Sequence, residues 1–256
     1  MTVVYILAHC DDEYAALPLI LEAKAAGRDQ VFLYVAENPG AAVAERRLGE
    51  TRAFLASLGL PEEGATYAVS GAEAYDGQVH RRLDACLDQL RKRLAASPRV
   101  EKFVIAAWEG GHADHDACAA LTAVLAAEYG AAIEQFGLYN RRGLSALPFQ
   151  ACAPIPENGP VRRIRLSLRQ WLNWAMLVRR YPSQATSWLG LWPSMFAGFA
   201  LRGGYGVQRL DPARLAERPH AGDLLYERRF GVAYAEVAEA VQGLMARELR
   251  PGSAPA

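Results

Sequence analysis

The feature that most constrains the fold of this chain is an alternation of short apolar runs with amphipathic stretches over about the first 140 residues. The apolar runs predict buried strands at VVYILA (3–8), VFLYVA (31–36), 66–69, KFVIAA (102–107) and IEQFGLY (133–139). The stretches between them predict helices at Tyr14–Ala26, Ala44–Ser57, Val79–Ala96 and His115–Tyr129. Such alternation produces a mostly parallel sheet covered by helices on both faces. We therefore expect an α/β fold with a doubly wound, Rossmann-like sheet.

The second half of the chain has a weaker pattern and predicts a C-terminal elaboration of the same domain. VRRIRLSLR (161–169) alternates like a half-exposed strand, and Gln170–Arg180 indicates a helix that ends before Pro182. Ser183–Gly206 has no clear period, so we expect a lid or a substrate-facing loop there. The predicted organisation is one domain with a core, an elaboration, a terminal helix and a flexible tail, at about 1–140, 141–230, 232–249 and 251–256.

Composition excludes several classes of protein. The chain has 28 basic and 28 acidic residues among 256, and this balance argues against a general nucleic-acid binder. The longest nearly apolar stretch, Trp188–Leu201, is too short to span a bilayer and contains Pro193. The four cysteines lack CxxC spacing, which suits a reducing compartment, and no signal peptide is visible. We expect a cytoplasmic protein.

Two polar clusters follow predicted strands. His9-Cys10-Asp11-Asp12-Glu13 follows the first strand, and a second cluster, EGGHADHD (109–116), follows the strand at 102–107. Because ligands bind at the carboxyl ends of strands in open α/β sheets, the two clusters are candidates to face one another. Imidazole and carboxylate groups form the ligand set of catalytic zinc. The alternative is that the acids only cap the helices that follow, and the pairing of histidine with acids in both clusters favours a metal site.

These two clusters resemble the signatures of the PIG-L/LmbE family of zinc-dependent N-deacetylases. AHCDDE (8–13) is similar to the first signature of the family, AHPDDE, and HADH (112–115) matches the second, HxDH. Weaker similarities follow in the family order at RLGE (47–50), YDG (75–77) and YPSQ (181–184). The resemblance covers about residues 3 to 190 and includes two linked signatures.

The resemblance implies a role for each matching residue. The implied zinc ligands are His9, Asp12 and His115, and ferrous iron is an alternative metal for the same nitrogen and oxygen ligands. Asp11 is implied as the general base that later protonates the leaving amine. His112, oriented by Asp114, is implied as the imidazolium that stabilises the oxyanion. Glu13 supports the start of the helix, and the side chains expected to contact substrate are Glu37, Arg47 and Asp76.

The implied reaction is hydrolysis of an N-acetyl group from an amino-sugar conjugate. Cys10 stands where the family has proline; a thiol can bind zinc, but a lone cysteine in such a turn is more often a packing residue. One alternative is an amidase that acts on a larger N-acyl group or a thiol–sugar conjugate. Another is a non-catalytic sugar- or nucleotide-binding protein. A dinucleotide-binding enzyme is disfavoured because no GxGxxG follows a predicted strand.

The segment 158–210 contains no acidic residue. It contains eight arginines and four of the five tryptophans of the chain, at positions 162, 163, 165, 169, 179, 180, 202 and 209 and positions 171, 174, 188 and 192. This composition suits a phosphate-bearing or lipid-linked sugar, or contact with an anionic membrane surface. The alternative is that the tryptophans pack inward and the arginines are solvated.

Overall fold

The computed structural model of the chain describes residues 1–38, 40–69, 73–95, 99–145 and 147–249. Its strands are β1 (Thr2–Leu7), β2 (Asp29–Tyr34), β3 (Ala65–Tyr67), β4 (Val100–Ala106), β5 (Ala132–Phe136), β6 (Tyr139–Asn140), β7 (Gln150–Ala151), β8 (Val161–Ile164) and β9 (Tyr205–Arg209). Its helices are α1 (Asp12–Ala15), α2 (Leu17–Ala25), α3 (Ala41–Ser57), α4 (Leu83–Leu94), α5 (Ala113–Tyr129), α6 (Leu168–Leu177), α7 (Ala185–Arg202), α8 (Leu225–Arg229) and α9 (Tyr234–Glu248). Short 3₁₀ turns join several of these elements.

Seven strands form one sheet in the order β3-β2-β1-β4-β5-β9-β8. The first five of these are parallel, and β9 and β8 extend the sheet with antiparallel pairing. Every residue of the central strand β1 is buried, as expected of a strand covered on both faces. The predicted α/β fold with a doubly wound, mostly parallel sheet is therefore confirmed. β6 and β7 form a separate two-stranded ribbon.

Alternate residues of β1 contribute to two hydrophobic cores, one on each face of the sheet. Val4 and Ile6 pack with residues of α4, α5 and α9, whereas Val3, Tyr5 and Leu7 pack with residues of α1, α2, α3, α6 and α7. This division follows from the two-residue period of a strand. It places the N-terminal polar cluster at the junction between the sheet and both helical layers.

The structure corrects several predicted boundaries. The predicted strand 133–139 ends at Phe136, because the next strand residues, Tyr139–Asn140, pair with β7 instead. The predicted strand 161–169 ends at Ile164, because Ser167 caps α6: its hydroxyl accepts from the Gln170 backbone N–H, and the Gln170 side chain accepts from the Ser167 N–H. The predicted helix Tyr14–Ala26 is interrupted between α1 and α2.

The prediction of a lid or loop over Ser183–Gly206 is wrong for most of its length. Helix α7 occupies it, with Pro193 inside the helix and Gly203 in the left-handed conformation after its end. The inward face of α7 is buried and contains Trp188, Met195 and Phe199. Position 96, where the third predicted helix ends, and the predicted tail 251–256 lie outside the described residues. Within the described ranges, no helix has the length and hydrophobicity needed to cross a membrane.

Candidate metal centre

The candidate site lies where β1 and β4 end. These two strands are neighbours in the sheet, and the chain continues from β1 to β2 on one side and from β4 to β5 on the other. Open α/β sheets bind ligands in the crevice between two neighbouring strands whose connections leave in opposite directions. The two polar clusters, which are about 100 residues apart in sequence, follow these strands and come into contact here.

His9, Asp12 and His115 converge on one point. Their candidate ligand atoms all lie within 4.8 Å of one another. One Asp12 carboxylate oxygen lies 3.4 Å from His115 Nε2, and the other lies 3.9 Å from His9 Nδ1 and accepts from the His9 backbone N–H at 2.9 Å. Asp12 and His115 are both buried. The carboxylate is thus held between two imidazoles.

The residues of this cluster fit a divalent metal ion. His115 Nε2 is buried and makes no hydrogen bond of good geometry with any described residue, although Asp12 lies 3.4 Å away; such an orphaned polar atom is costly unless another partner uses its lone pair. Two imidazoles and one carboxylate match the three-ligand sets of catalytic zinc and suit ferrous iron as well. Both the orphaned nitrogen and the nature of the donors therefore point to a cation at this position.

A second group of potential ligands adjoins the first and shares His9 with it. His9 Nε2 lies 3.2 Å from Asp76 Oδ1 and 3.3 Å from Asp114 Oδ2, and His112 completes the group. Asp76, which the sequence predicts as a substrate contact, therefore lies beside the histidines, with 44% of its side chain exposed. Asp114 is fully buried and accepts from the backbone N–H groups of Gly77 at 2.6 Å and Val79.

The pKa values of His9 and His112 move in opposite directions. Burial lowers the pKa of His9, but the contacts with Asp114 and Asp76 outweigh burial and raise that pKa well above its ordinary value. Burial and the neighbouring His9 lower the pKa of His112 to about 4. His112 Nδ1 accepts from the Asp114 backbone N–H, so its proton lies on Nε2, 3.6 Å from Asp76. These surroundings favour the neutral form of His112 over the imidazolium that the resemblance implies, and the Asp114 backbone N–H orients its ring.

Asp11 has an unusual backbone conformation. Its φ is 131°, which L-residues rarely adopt. Its backbone N–H donates to Glu13 Oε2, and the other Glu13 oxygen accepts from the Tyr181 hydroxyl at 2.7 Å. Burial and the charges of Asp12 and Glu13 raise the pKa of Asp11 well above its ordinary value. The Asp11 side chain does not cap α1, so helix capping does not explain its presence.

The weaker sequence similarities also meet in space. Glu50 accepts from the Ser183 backbone N–H at 3.0 Å and from the Ser183 hydroxyl at 2.6 Å, which connects RLGE (47–50) to YPSQ (181–184). Tyr181 of the latter segment is the residue that binds Glu13. These contacts attach the segment before α7 to the turn that carries Asp11. The sequence contained the motifs, but not the pairing between them.

Glu109 supports the wall of the site from the second cluster. It is buried and accepts from the backbone N–H groups of Leu138 and Tyr139 and from Asn140 Nδ2. Burial raises its pKa to about 7, against the effect of these three donors. The Tyr139 ring held in this way lies 5.5 Å from the His115 ring.

A cavity of about 600 Å³ adjoins the cluster. His9, Asp11, Asp12 and His112 contribute to its lining. Its aromatic and aliphatic lining comes from several distant segments and includes Leu138, Tyr139, Phe149, Trp188, Leu191 and Phe230. Its cationic lining residues are Arg47, Arg81 and Arg229. The contributions of Tyr139, Phe149, Arg229 and Phe230 have no signal in the sequence.

Some predicted residues lie elsewhere. Within the described part of the chain, Glu37 is not among the cavity-lining residues; it forms a parallel bridge with Tyr75, and its carbonyl accepts from the Asp76 N–H. None of the eight arginines of 158–210, all of which are described, lines this cavity. Cys10 is buried in a hydrophobic core, where burial raises the pKa of its thiol, and it belongs to neither group of potential ligands.

Fold and site together define a doubly wound α/β protein with a histidine–aspartate cluster that fits a metal ion beside a cavity. No family model and no curated protein matches the chain. Solved structures with a similar fold include a deacetylase of the teicoplanin biosynthesis pathway, which is 19% identical, with a TM-score of 0.57 over 82% of this chain and 99% of that chain. A zinc-inhibited form of teicoplanin deacetylase has a TM-score of 0.55 and 19% identity, over 82% of this chain and 99% of that chain. The A40926 pseudoaglycone deacetylase has a TM-score of 0.55 and 19% identity, over 81% of this chain and 96% of that chain. This likeness concerns the fold.

Proposed function

We propose that this chain is a metal-dependent amide hydrolase that removes an N-acetyl group from an amino-sugar conjugate. The observation that carries the proposal is the cluster of His9, Asp12 and His115, with the orphaned His115 Nε2, next to Asp11 and His112 in one cavity. The structural neighbours support it, since they include a deacetylase of teicoplanin biosynthesis and the A40926 pseudoaglycone deacetylase. A binding protein would need no proton-transfer groups beside its ligand site.

The metal that fits these donors best is zinc, with ferrous iron as the alternative. His9, Asp12 and His115 would hold it. When bound, such a cation lowers the pKa of water and polarises a carbonyl group. His9 must release its proton to act as a ligand.

Asp11 is the proposed general base and acid. It lines the cavity directly beside Asp12, and its raised pKa allows its carboxyl group to take a proton from the attacking water and hold it. It then returns this proton to the amine that leaves. Glu13 and Tyr181 hold the strained turn that presents the Asp11 carboxyl group to the cavity.

His112 is the proposed hydrogen-bond donor to the acyl oxygen. Because its Nδ1 accepts from the Asp114 N–H, the Nε2–H points away from that contact and is free to donate. A fixed donor of this kind at a developing oxyanion contributes a factor of about 100 or more in rate. The donor is a neutral imidazole, since its surroundings lower the pKa to about 4.

The cavity lining supports a sugar conjugate as substrate. Aromatic rings such as Tyr139, Phe149 and Trp188 offer apolar faces for a pyranose ring. Arg47 and Arg229 also line the cavity, and an anionic group on the conjugate would bind there rather than at the arginines of 158–210. Contacts of Arg47, Asp76 and Glu37 with the sugar remain predictions.

A metal-binding assay followed by a substrate panel tests this proposal. We expect about one divalent ion per chain, lost in His115→Ala but not in His220→Ala, a matched change at a buried histidine that is not in the cavity lining. The metal-loaded protein should release acetate from N-acetylated sugars, sugar nucleotides or glycolipids, and Asp11→Asn should bind metal but lose most turnover. Full metal occupancy in His115→Ala, or normal turnover in Asp11→Asn, would contradict the assigned roles.

A second candidate is the same hydrolysis of a larger N-acyl group. The observation that favours it is the size of the cavity, about 600 Å³, and its apolar wall next to His115. Substrates of one sugar with N-acyl chains of increasing length separate the two candidates. A kcat/KM that rises with chain length would favour the larger acyl group, and one that falls would favour acetyl.

A further inference from the structure

Helices α6 and α7 expose apolar stripes to solvent. On α6, Leu168, Leu172 and Met176 follow at four-residue spacing and are 72%, 51% and 51% exposed. On α7, Leu189 and Leu201 are 78% and 88% exposed. The exposed residues between them at the same spacing are Pro193 and Ala197. Four-residue spacing places side chains on one side of a helix, so each helix presents an apolar line outward.

The two helices are packed together through their other faces. The ring of Trp171 contacts that of Phe196 at 4.8 Å between centroids, and Trp192 Nε1 donates to the Ala175 carbonyl. These contacts make α6 and α7 antiparallel neighbours. A groove of about 540 Å³ is lined by Leu168 of α6 and by Ala200 of α7, which precedes the exposed Leu201. We call the exposed lines on both helices the α6–α7 face.

The charge around the α6–α7 face has one sign. No acidic residue occurs in 158–210, and α7 has no charged residue before Arg202. Four exposed arginines flank the two ends of α6, at positions 165, 169, 179 and 180. Among the described residues, none of these four arginines forms an ion pair with a carboxylate, in contrast to Arg162, which pairs with Glu22 and Glu134.

We infer that the α6–α7 face docks on the surface of an anionic lipid bilayer. Exposed leucines beside unpaired arginines are the pattern of segments that lie in the membrane interface, with apolar side chains among the acyl chains and cations at the headgroups. A second copy of the chain is a poorer occupant, because a two-fold symmetric contact would bring the arginines of one copy against those of the other. The first turns of α7 also line the candidate active-site cavity, through Thr186, Ser187 and Trp188. Docking would therefore hold the cavity close to substrates at the membrane.

Vesicle co-sedimentation tests this inference without metal or substrate, so its outcome does not depend on the proposed function. We expect the protein to sediment with vesicles that contain phosphatidylglycerol and to bind vesicles of pure phosphatidylcholine more weakly. High salt should reduce binding, because the Debye length falls to about 3 Å at 1 M. Failure to sediment with the anionic vesicles would overturn the inference.

Two pairs of variants locate the contact. Arg169→Glu with Arg179→Glu should weaken vesicle binding by at least a factor of about five for each position. The charge-matched control is Lys92→Glu with Arg93→Glu. These two exposed residues belong to α4, on the opposite face of the sheet, so this variant should bind as the wild type does.

Leu172→Ser with Leu189→Ser should weaken binding by a factor of about ten or more; both side chains are exposed, so folding should not change. Equal loss in the control pair, or full binding by the leucine pair, would refute docking through this face. A dimer in solution that the leucine pair abolishes would refute the lipid assignment.

Discussion

Asp114 and Asp116 are both buried acids of α5, yet the same substitution should affect them differently. Both oxygens of Asp114 accept backbone N–H groups, one from Gly77 and one from Val79, and the oxygen bonded to Gly77 also lies 3.3 Å from His9 Nε2. Asp116 accepts from the Gly110 N–H at the longer distance of 3.4 Å, and within the described ranges its other oxygen lacks a hydrogen bond of good geometry. Replacement of each by asparagine therefore gives a matched pair.

The size of the effect follows from the number of acceptors. Asparagine has a single oxygen, so in Asp114→Asn its amino group must face one of the two N–H donors. The variant loses one charge-assisted hydrogen bond and leaves a buried N–H unpaired, which together should lower the free energy of unfolding by about 3 kcal/mol. Burial raises the pKa of Asp116 well above its ordinary value, so a neutral amide suits its site. Asp116→Asn should remain within about 1 kcal/mol of the wild type.

Urea denaturation at neutral pH measures this difference. The protein should first be stripped of metal, so that metal affinity does not contribute to the free energy of unfolding. Hydrogen exchange adds a local measurement, since one of the Gly77 and Val79 amides, the one that faces the new amino group, should exchange faster in Asp114→Asn alone. Equal losses of stability in the two variants would refute the reasoning, because they would mean that the two hydrogen bonds of Asp114 contribute nothing specific.

Two further substitutions have defined outcomes. Asp11→Gly should raise the free energy of unfolding by about 1 kcal/mol, because glycine adopts the φ of 131° without strain, while amide hydrolysis falls to background; a loss of stability in thermal or urea denaturation would contradict the strain. Tyr181→Phe should lower the free energy of unfolding by about 2 kcal/mol, because it removes the donor to buried Glu13. Its control is Tyr205→Phe, where the buried hydroxyl has no hydrogen-bond partner in the described part of the chain and the loss should be negligible; equal effects of the two tyrosine changes would argue against the Glu13 contact.

The site was predictable because its signals are local and its strands adjoin. His9 and Asp12 lie three residues apart after a buried strand, and HADH (112–115) stands in the corresponding place after another. A parallel sheet places the carboxyl ends of all its strands at one edge, so only the neighbouring positions of β1 and β4 remained to be found. The cavity wall was not predictable in this way, because its aromatic residues come from distant segments that no spacing in the sequence connects.

Helix α7 escaped prediction for a physical reason. A helical period is visible in a sequence only when one face is polar. On α7 the inward side is apolar, with Trp188 and Phe199 buried, and the outward line that includes Leu189 and Leu201 is apolar too. The sequence therefore resembles an aperiodic apolar segment, and Pro193 adds a signal for a break. The property that concealed the helix, an apolar outer line, is also the one on which the inferred docking to lipid rests.

The protonation of His112 shows what only the spatial arrangement can decide. The family resemblance implies an imidazolium, and the sequence offers three histidines without saying how they share charge. Their rings lie 4.8 to 5.4 Å apart between centroids, so a positive charge on one disfavours charge on the others. His9 has the two carboxylate contacts that favour protonation, and His112 is therefore neutral. Its Nε2–H is then fixed by the Asp114 backbone, not by charge, and replacing the Asp114 carboxylate should leave that tautomer unchanged.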